Sequence, residues 1–129
     1  MTREQYAREW LQYAENDLAA ARFLFGMKPL PPEIICFHCQ QAAEKALKAY
    51  LAYNGTNVPK THDLTNLNEL CAVHEKDIES LVEQCIALND YAVEVRYPDE
   101  SPIEERDAHQ ALKDADIVFN YIRERLKHE

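Results

Sequence analysis

Glycine is nearly missing from this chain, at 2 of 129 residues. Sandwiches and barrels reverse direction roughly every 8–12 residues and rely on glycine to do so, so this scarcity disfavours an all-β fold. Long apolar runs are also missing. Nothing approaches the ~18 residues of a membrane-crossing helix, and the opening MTREQYAREW has no signal-peptide-like apolar stretch, so a cytoplasmic protein without membrane contact is expected. Positive charge is in deficit, with 14 Lys+Arg against 23 Asp+Glu and a formal net charge of −9. That balance excludes a broad nucleic-acid-binding surface but allows a local basic patch. At 47% apolar and 29% charged residues, the composition is that of a folded domain, and its length suits a single unit over residues 1–129.

What the chain does contain is helical periodicity. Thr2 and Gln5 have capping-box spacing, and Tyr6, Trp10, Ala14, Leu18, Ala21 and Phe25 then follow in steps of three and four. Gly26 and the prolines at 29, 31 and 32 end that helix, and a second starts near Pro32 and runs to Asn54-Gly55. It carries Ile35, Cys39, Ala42, Ala46, Ala49 and Tyr53 inward. Gln41, Lys45 and Lys48 share a polar face, and Glu44 and Lys48 form an i,i+4 pair. A loop over 54–62 leads to a short helix with Leu64, Leu67 and Cys71 inward, then to a longer one from about Glu75 to Ala92. The pattern breaks at Arg96-Tyr97-Pro98-Asp99. It resumes at Ser101-Pro102-Ile103-Glu104, which reads as a cap, a first-turn proline and a capping-box acid. The sum is an all-α antiparallel up-and-down bundle of four long helices and one short one.

Four constellations bear on chemistry. Cys36-x2-Cys39 with Cys71-x2-His74 has zinc-like spacing, but both pairs lie inside helical patterns; reduced, buried thiols are the simpler reading and no metal or other cofactor is expected. Glu104, Glu105 and Asp107 sit in first turns, where they offset the helix dipole. Arg106 and His109 could together stabilise and protonate a cleaving phosphodiester, as could Arg123 and His128, although His128 falls at the frayed end of the sequence. Gln40, Gln41, Lys45, Lys48, Thr61-His62-Asp63 and Arg96-Tyr97 supply cations, amides and an aromatic plate, as a phosphate-bearing or nucleobase-bearing ligand requires. Aromatics off the inward stripes (Tyr13, Phe23, Phe37, Tyr50, Tyr91, Tyr121) suit a homodimer interface.

Trp10 with Ala14-x2-Asp17-Leu18, the block Phe37-His38-Cys39-Gln40-Gln41-Ala42-Ala43-Glu44-Lys45-Ala46-Leu47-Lys48, Thr61-His62-Asp63-Leu64, Arg96-Tyr97-Pro98 and Glu105-x-Asp107-Ala108 together resemble the HEPN domain, along essentially the whole chain. The resemblance implies a bundle of four to five helices, often dimeric, commonly paired with a small nucleotidyltransferase and associated with nucleotide binding. Other members are metal-independent ribonuclease toxins that use an Arg and a His separated by four to six residues near the start of the last long helix. Arg106 and His109 lack that separation, so the expectation is a non-catalytic binding partner of a nucleotidyltransferase. Its expected ligand residues are Gln41, Lys45, Lys48, His62, Asp63, Arg96 and Tyr97. The alternatives are an RNA-cleaving toxin and a purely architectural bundle.

Overall fold

Thr2 opens the first helix with a reciprocal capping box. Its side chain accepts from the Gln5 amide, and the Gln5 side chain accepts from the Thr2 amide. In the computed structural model, which describes residues 1–93 and 97–127, this helix (α1) spans Arg3–Leu24. It is followed by α2 (Pro32–Tyr53), α3 (Leu64–Ala72), a 3-10 segment (Lys76–Leu81), α4 (Val82–Asn89) and α5 (Glu105–Leu126). No strand occurs among the described residues, so the helical bundle expected from periodicity is the observed fold. Three helices are long, at 22 residues each.

α2 is the axis of the bundle, with its main interfaces against α1 and α5. Ala42, Ala43, Ala46, Ala49 and Ala52 are all buried there, and their small side chains let neighbouring backbones come close. α1 runs antiparallel to both partners: Trp10 lies by Lys48 and Asp17 by His38, while Arg22 pairs with Asp116 and Phe25 stacks on His109. α2 and α5 consequently run parallel to each other. The 54–63 connection makes this possible by returning alongside α2, so that His62 reaches Gln40 and Glu44 and α3 starts again at that level. α3 then runs with α2, placing the Cys71 thiol on the Leu47 carbonyl. α4 reverses direction and ends where the Asn89 side chain accepts from the Leu64 amide.

Two boundaries differ from the sequence pattern, each for a local reason. The segment expected as one helix from Glu75 to Ala92 is divided. Asn68, buried, donates to the Ile78 carbonyl at 2.9 Å and anchors the intervening 3-10 segment to α3. The last helix starts at Glu105, not at Pro102, because Glu104 and Asp107 form the capping box themselves: each side chain accepts from the other residue's amide. At the other end of the bundle, Glu75 accepts from the Tyr121 hydroxyl at 3.2 Å and from the Arg125 guanidinium at 2.8 Å, tying the α3–α4 excursion to the end of α5.

The turn after α2 depends on Gly55, whose φ of +74° is disfavoured for any residue with a Cβ. An added Cβ would also stand 2.7 Å from the Arg3 guanidinium carbon. Gly55→Ala is therefore expected to lower unfolding free energy by about 1–2 kcal/mol. Gly26→Ala, whose added Cβ would meet only the Phe23 carbonyl at 3.4 Å, should stay within about 0.5 kcal/mol of wild type. Urea unfolding midpoints of the two variants provide the measurement.

Candidate functional site

Nearly every residue of α2 beyond its first turn is buried. Phe37, His38, Gln41 and Lys45 are the half-exposed ones before Tyr53. His38, Gln41, Lys45 and Lys48 follow one another at steps of three, four and three, so they form a single line along the helix. This line is a polar slot in the central helix, flanked by α1 on one side and by the His62 segment on the other.

Two carboxylates organise the slot. Asp17 on α1 holds the Lys45 ammonium with Oδ2 at 2.7 Å and the His38 Nδ1 with Oδ1 at 2.9 Å. Glu44 on α2 holds the Lys48 ammonium with Oε2 at 2.9 Å and the His62 Nδ1 with Oε1 at 2.9 Å. Each carboxylate thus bridges one lysine and one histidine. The buried Gln40 amide joins the second set to the loop, donating to the His62 carbonyl at 3.0 Å and to Glu44, while Gln41 donates to Gln40. The Lys48 ammonium also lies 5.5 Å from the centre of the Trp10 ring, close enough for a cation–π contribution. The Trp10 indole nitrogen is buried and has no hydrogen-bond partner among the described residues.

Of the residues expected from the sequence, Gln41, Lys45, Lys48 and His62 meet in this slot. Asp63 adjoins it but is occupied as the N-cap of α3: its carboxylate accepts from the Thr65 amide and hydroxyl, the Asn66 amide and the Asn89 side chain. The Asn89 hydrogen bond, with the Thr65 hydroxyl next, holds its carboxyl below the ordinary value. Tyr97 is exposed and stands over a separate hollow with Glu33 and Ile103. Arg96 lies outside the described residues, as does His128.

Arg106 and His109 are both on the exposed first turns of α5. Arg106 pairs with Glu104 at 3.3 Å, and His109 with Glu105 at 3.3 Å while stacking on Phe25. Each has its own carboxylate, and the described contacts do not join the two. The cysteine and histidine pairs also diverge. Cys71 bonds a backbone carbonyl of α2, whereas His74 bonds the Thr56 hydroxyl at 2.8 Å. Burial pushes the Cys71 and Cys85 thiols up to about 12 and raises that of Cys39 further, which keeps them protonated and weakly nucleophilic. Among the described residues no group of three or more His, Cys, Asp or Glu side chains is placed to hold a metal ion.

Asp17, Glu44 and His38 complete the site, although none of them is among the ligand residues expected from cations and aromatics in the sequence. Asp17 is visible there as a carboxylate interrupting the inward stripe Trp10-Ala14-Asp17-Ala21, and Glu44 as the partner of Lys48.

A helical bundle with a charged slot in its central helix defines the class of protein. The comparisons identify the family: the HEPN domain profile matches residues 7–125, and the chain belongs to that family. It is 31% identical to a candidate toxin of Methanocaldococcus jannaschii, MJ1304, over 95% of this chain and 90% of that protein. Its fold is similar to the crystal structure of TT1696 from Thermus thermophilus, with a TM-score of 0.75 and 31% identity over 96% of this chain and 98% of that one. It is also similar to the archaeal HEPN homologue ST0689, with a TM-score of 0.73 and 24% identity, over 93% and 97% of the two chains.

Two stability outcomes follow from this geometry. Glu44→Gln should cost about 3–5 kcal/mol because it strands the buried Lys48 charge, while Glu44→Gln with Lys48→Met should recover most of that loss. A double-mutant cycle in urea measures both. Asp63→Ala should cost about 1 kcal/mol as a lost cap. Because the folded-state carboxyl titrates below its unfolded value, the charged cap's contribution is present above about pH 4 and is lost as pH falls through the folded value. The gap between wild type and Asp63→Ala should therefore narrow in acid unfolding experiments.

Proposed function

We propose that this HEPN chain is the binding component of a toxin–antitoxin-like pair, working in the cytoplasm as a homodimer with a small nucleotidyltransferase. Its α2 slot takes a nucleotide or another phosphate-bearing ligand. The observation that carries this reading is the open line His38–Gln41–Lys45 on a helix whose other faces are buried, with two lysines and two histidines gathered around it. A purely architectural bundle has no need for an enclosed Lys48–Glu44 pair on its central helix, which costs desolvation. Arg96 is the proposed phosphate contact through its guanidinium fork, whereas Tyr97, expected as the stacking partner, stands over its separate hollow and is left out of the slot.

A second reading has a specific observation in its favour, the likeness to a candidate toxin. In that reading the chain cleaves RNA with Arg106 and His109. The separate carboxylate partners of those two residues favour the binding role instead.

Thermal melting with and without nucleoside triphosphates, alone and with a co-expressed nucleotidyltransferase, provides the test. Ligand at 100 times its Kd should add about 2.7 kcal/mol, and Lys45→Ala and Arg96→Lys should each lose most of that gain, measured against each variant's own unliganded melting. Absence of stabilisation by every nucleotide would overturn the reading. RNA cleavage on expression that disappears with His109→Ala would establish the rival.

A further inference from the structure

We infer that a phosphate-bearing ligand enters the α2 slot together with protons, which His38 and His62 take up. This rests on the binding role proposed for the same slot and specifies how that slot meets its ligand.

The slot is formally neutral without its ligand. Among the described residues, the charged groups bonded into it are Asp17 from α1 and Glu44, Lys45 and Lys48 from α2. Two negative and two positive charges cancel while both histidines are neutral. The other groups in contact with the two histidines are uncharged: Phe37 beside the His38 ring and Gln40 at the His62 carbonyl. Asp63, the neighbour of His62, is turned to Thr65 and Asn89. A polyanion therefore meets a slot with no net attraction, whose carboxylates would repel it.

Hydrogen bonding leads to the same result. The Nδ1 atoms of His38 and His62 lie 2.9 Å from carboxylate oxygens, which only accept, so both Nδ1 atoms carry the hydrogen. In a neutral imidazole the outer Nε2 is then an acceptor. A phosphate oxygen is also an acceptor, and two acceptors cannot bond. Protonation turns each Nε2 into a donor and changes each lysine–carboxylate–histidine set from neutral to +1. Both rings are reachable, with side-chain exposures of 28% for His38 and 68% for His62, whereas the Lys48 ammonium is enclosed with Glu44. The histidines are thus the groups of the slot that a ligand can touch and whose outer ring nitrogen can accept a proton.

Calorimetric titration with ATP near pH 8, in two buffers of different ionisation enthalpy, measures the protons exchanged. Wild type should take up protons, and affinity should rise by up to about tenfold per proton for each unit the pH is lowered towards 6. His38→Gln and His62→Gln, checked for folding by circular dichroism, should each take up fewer protons than wild type. Comparison with wild type subtracts any protonation of ATP itself. ATP binding with unchanged proton uptake in both variants overturns this inference and leaves the binding role standing. No binding of ATP or pyrophosphate at any pH between about 6 and 8 overturns the binding role itself.

Discussion

Glu44 carries a negative charge on the central helix of the bundle with only 4% of its side chain exposed, and much of the architecture accommodates that fact. A buried carboxylate without partners would cost several kcal/mol, so it must be met by donors on every accessible side. Lys48 comes from the next turn of α2, Gln40 from the turn before, and His62 from a connection that returns far enough to reach it. That return sets the starting level of α3 and hence the place where α4 can end. Asp17 repeats the arrangement from α1 with Lys45 and His38, so the α1–α2 interface is fixed by polar contacts as well as by alanine packing.

Most of the helices were legible because their signals are local. The Thr2–Gln5 box, the proline at the start of α2 and Gly55 after its end are readable within a few residues, and each stands where its chemistry places it. The break within 75–92 was not legible, because the apolar spacing continues through it and the contact that anchors the 3-10 segment, Asn68 to the Ile78 carbonyl, comes from another helix. The start of α5 shows competition between two good local signals. Ser101-Pro102 has the conventional caps, but the reciprocal bonds of Glu104 and Asp107 prevail.

The slot was legible in half. Lysine and glutamine at helical spacing marked one face of α2, and His62 followed from the motif beside it. The two acidic organisers were less visible, because a carboxylate on an apolar stripe gains meaning only when its partners are known. Asp17 finds Lys45 and His38 from 28 and 21 residues away, separations that no periodicity argument reaches. Asp63 shows the converse: its place in the motif suggested a ligand contact, and its hydrogen bonds are those of a helix cap.

The return of the chain along α2 also has a cost in chain entropy. α1 and α2 are joined by the short stretch 25–31, whereas α2 meets its parallel neighbour α5 only after the whole of 54–104 has been traversed. Closing the longer loop costs roughly 2 kcal/mol more than closing the shorter one, by the logarithmic dependence of closure entropy on length. α3, the 3-10 segment and α4 offset part of that cost by folding the intervening chain into a compact unit, and the Glu75 contacts with Tyr121 and Arg125 fasten that unit to α5. The shorter helices thus act as a spacer that turns a long floppy loop into a short effective one.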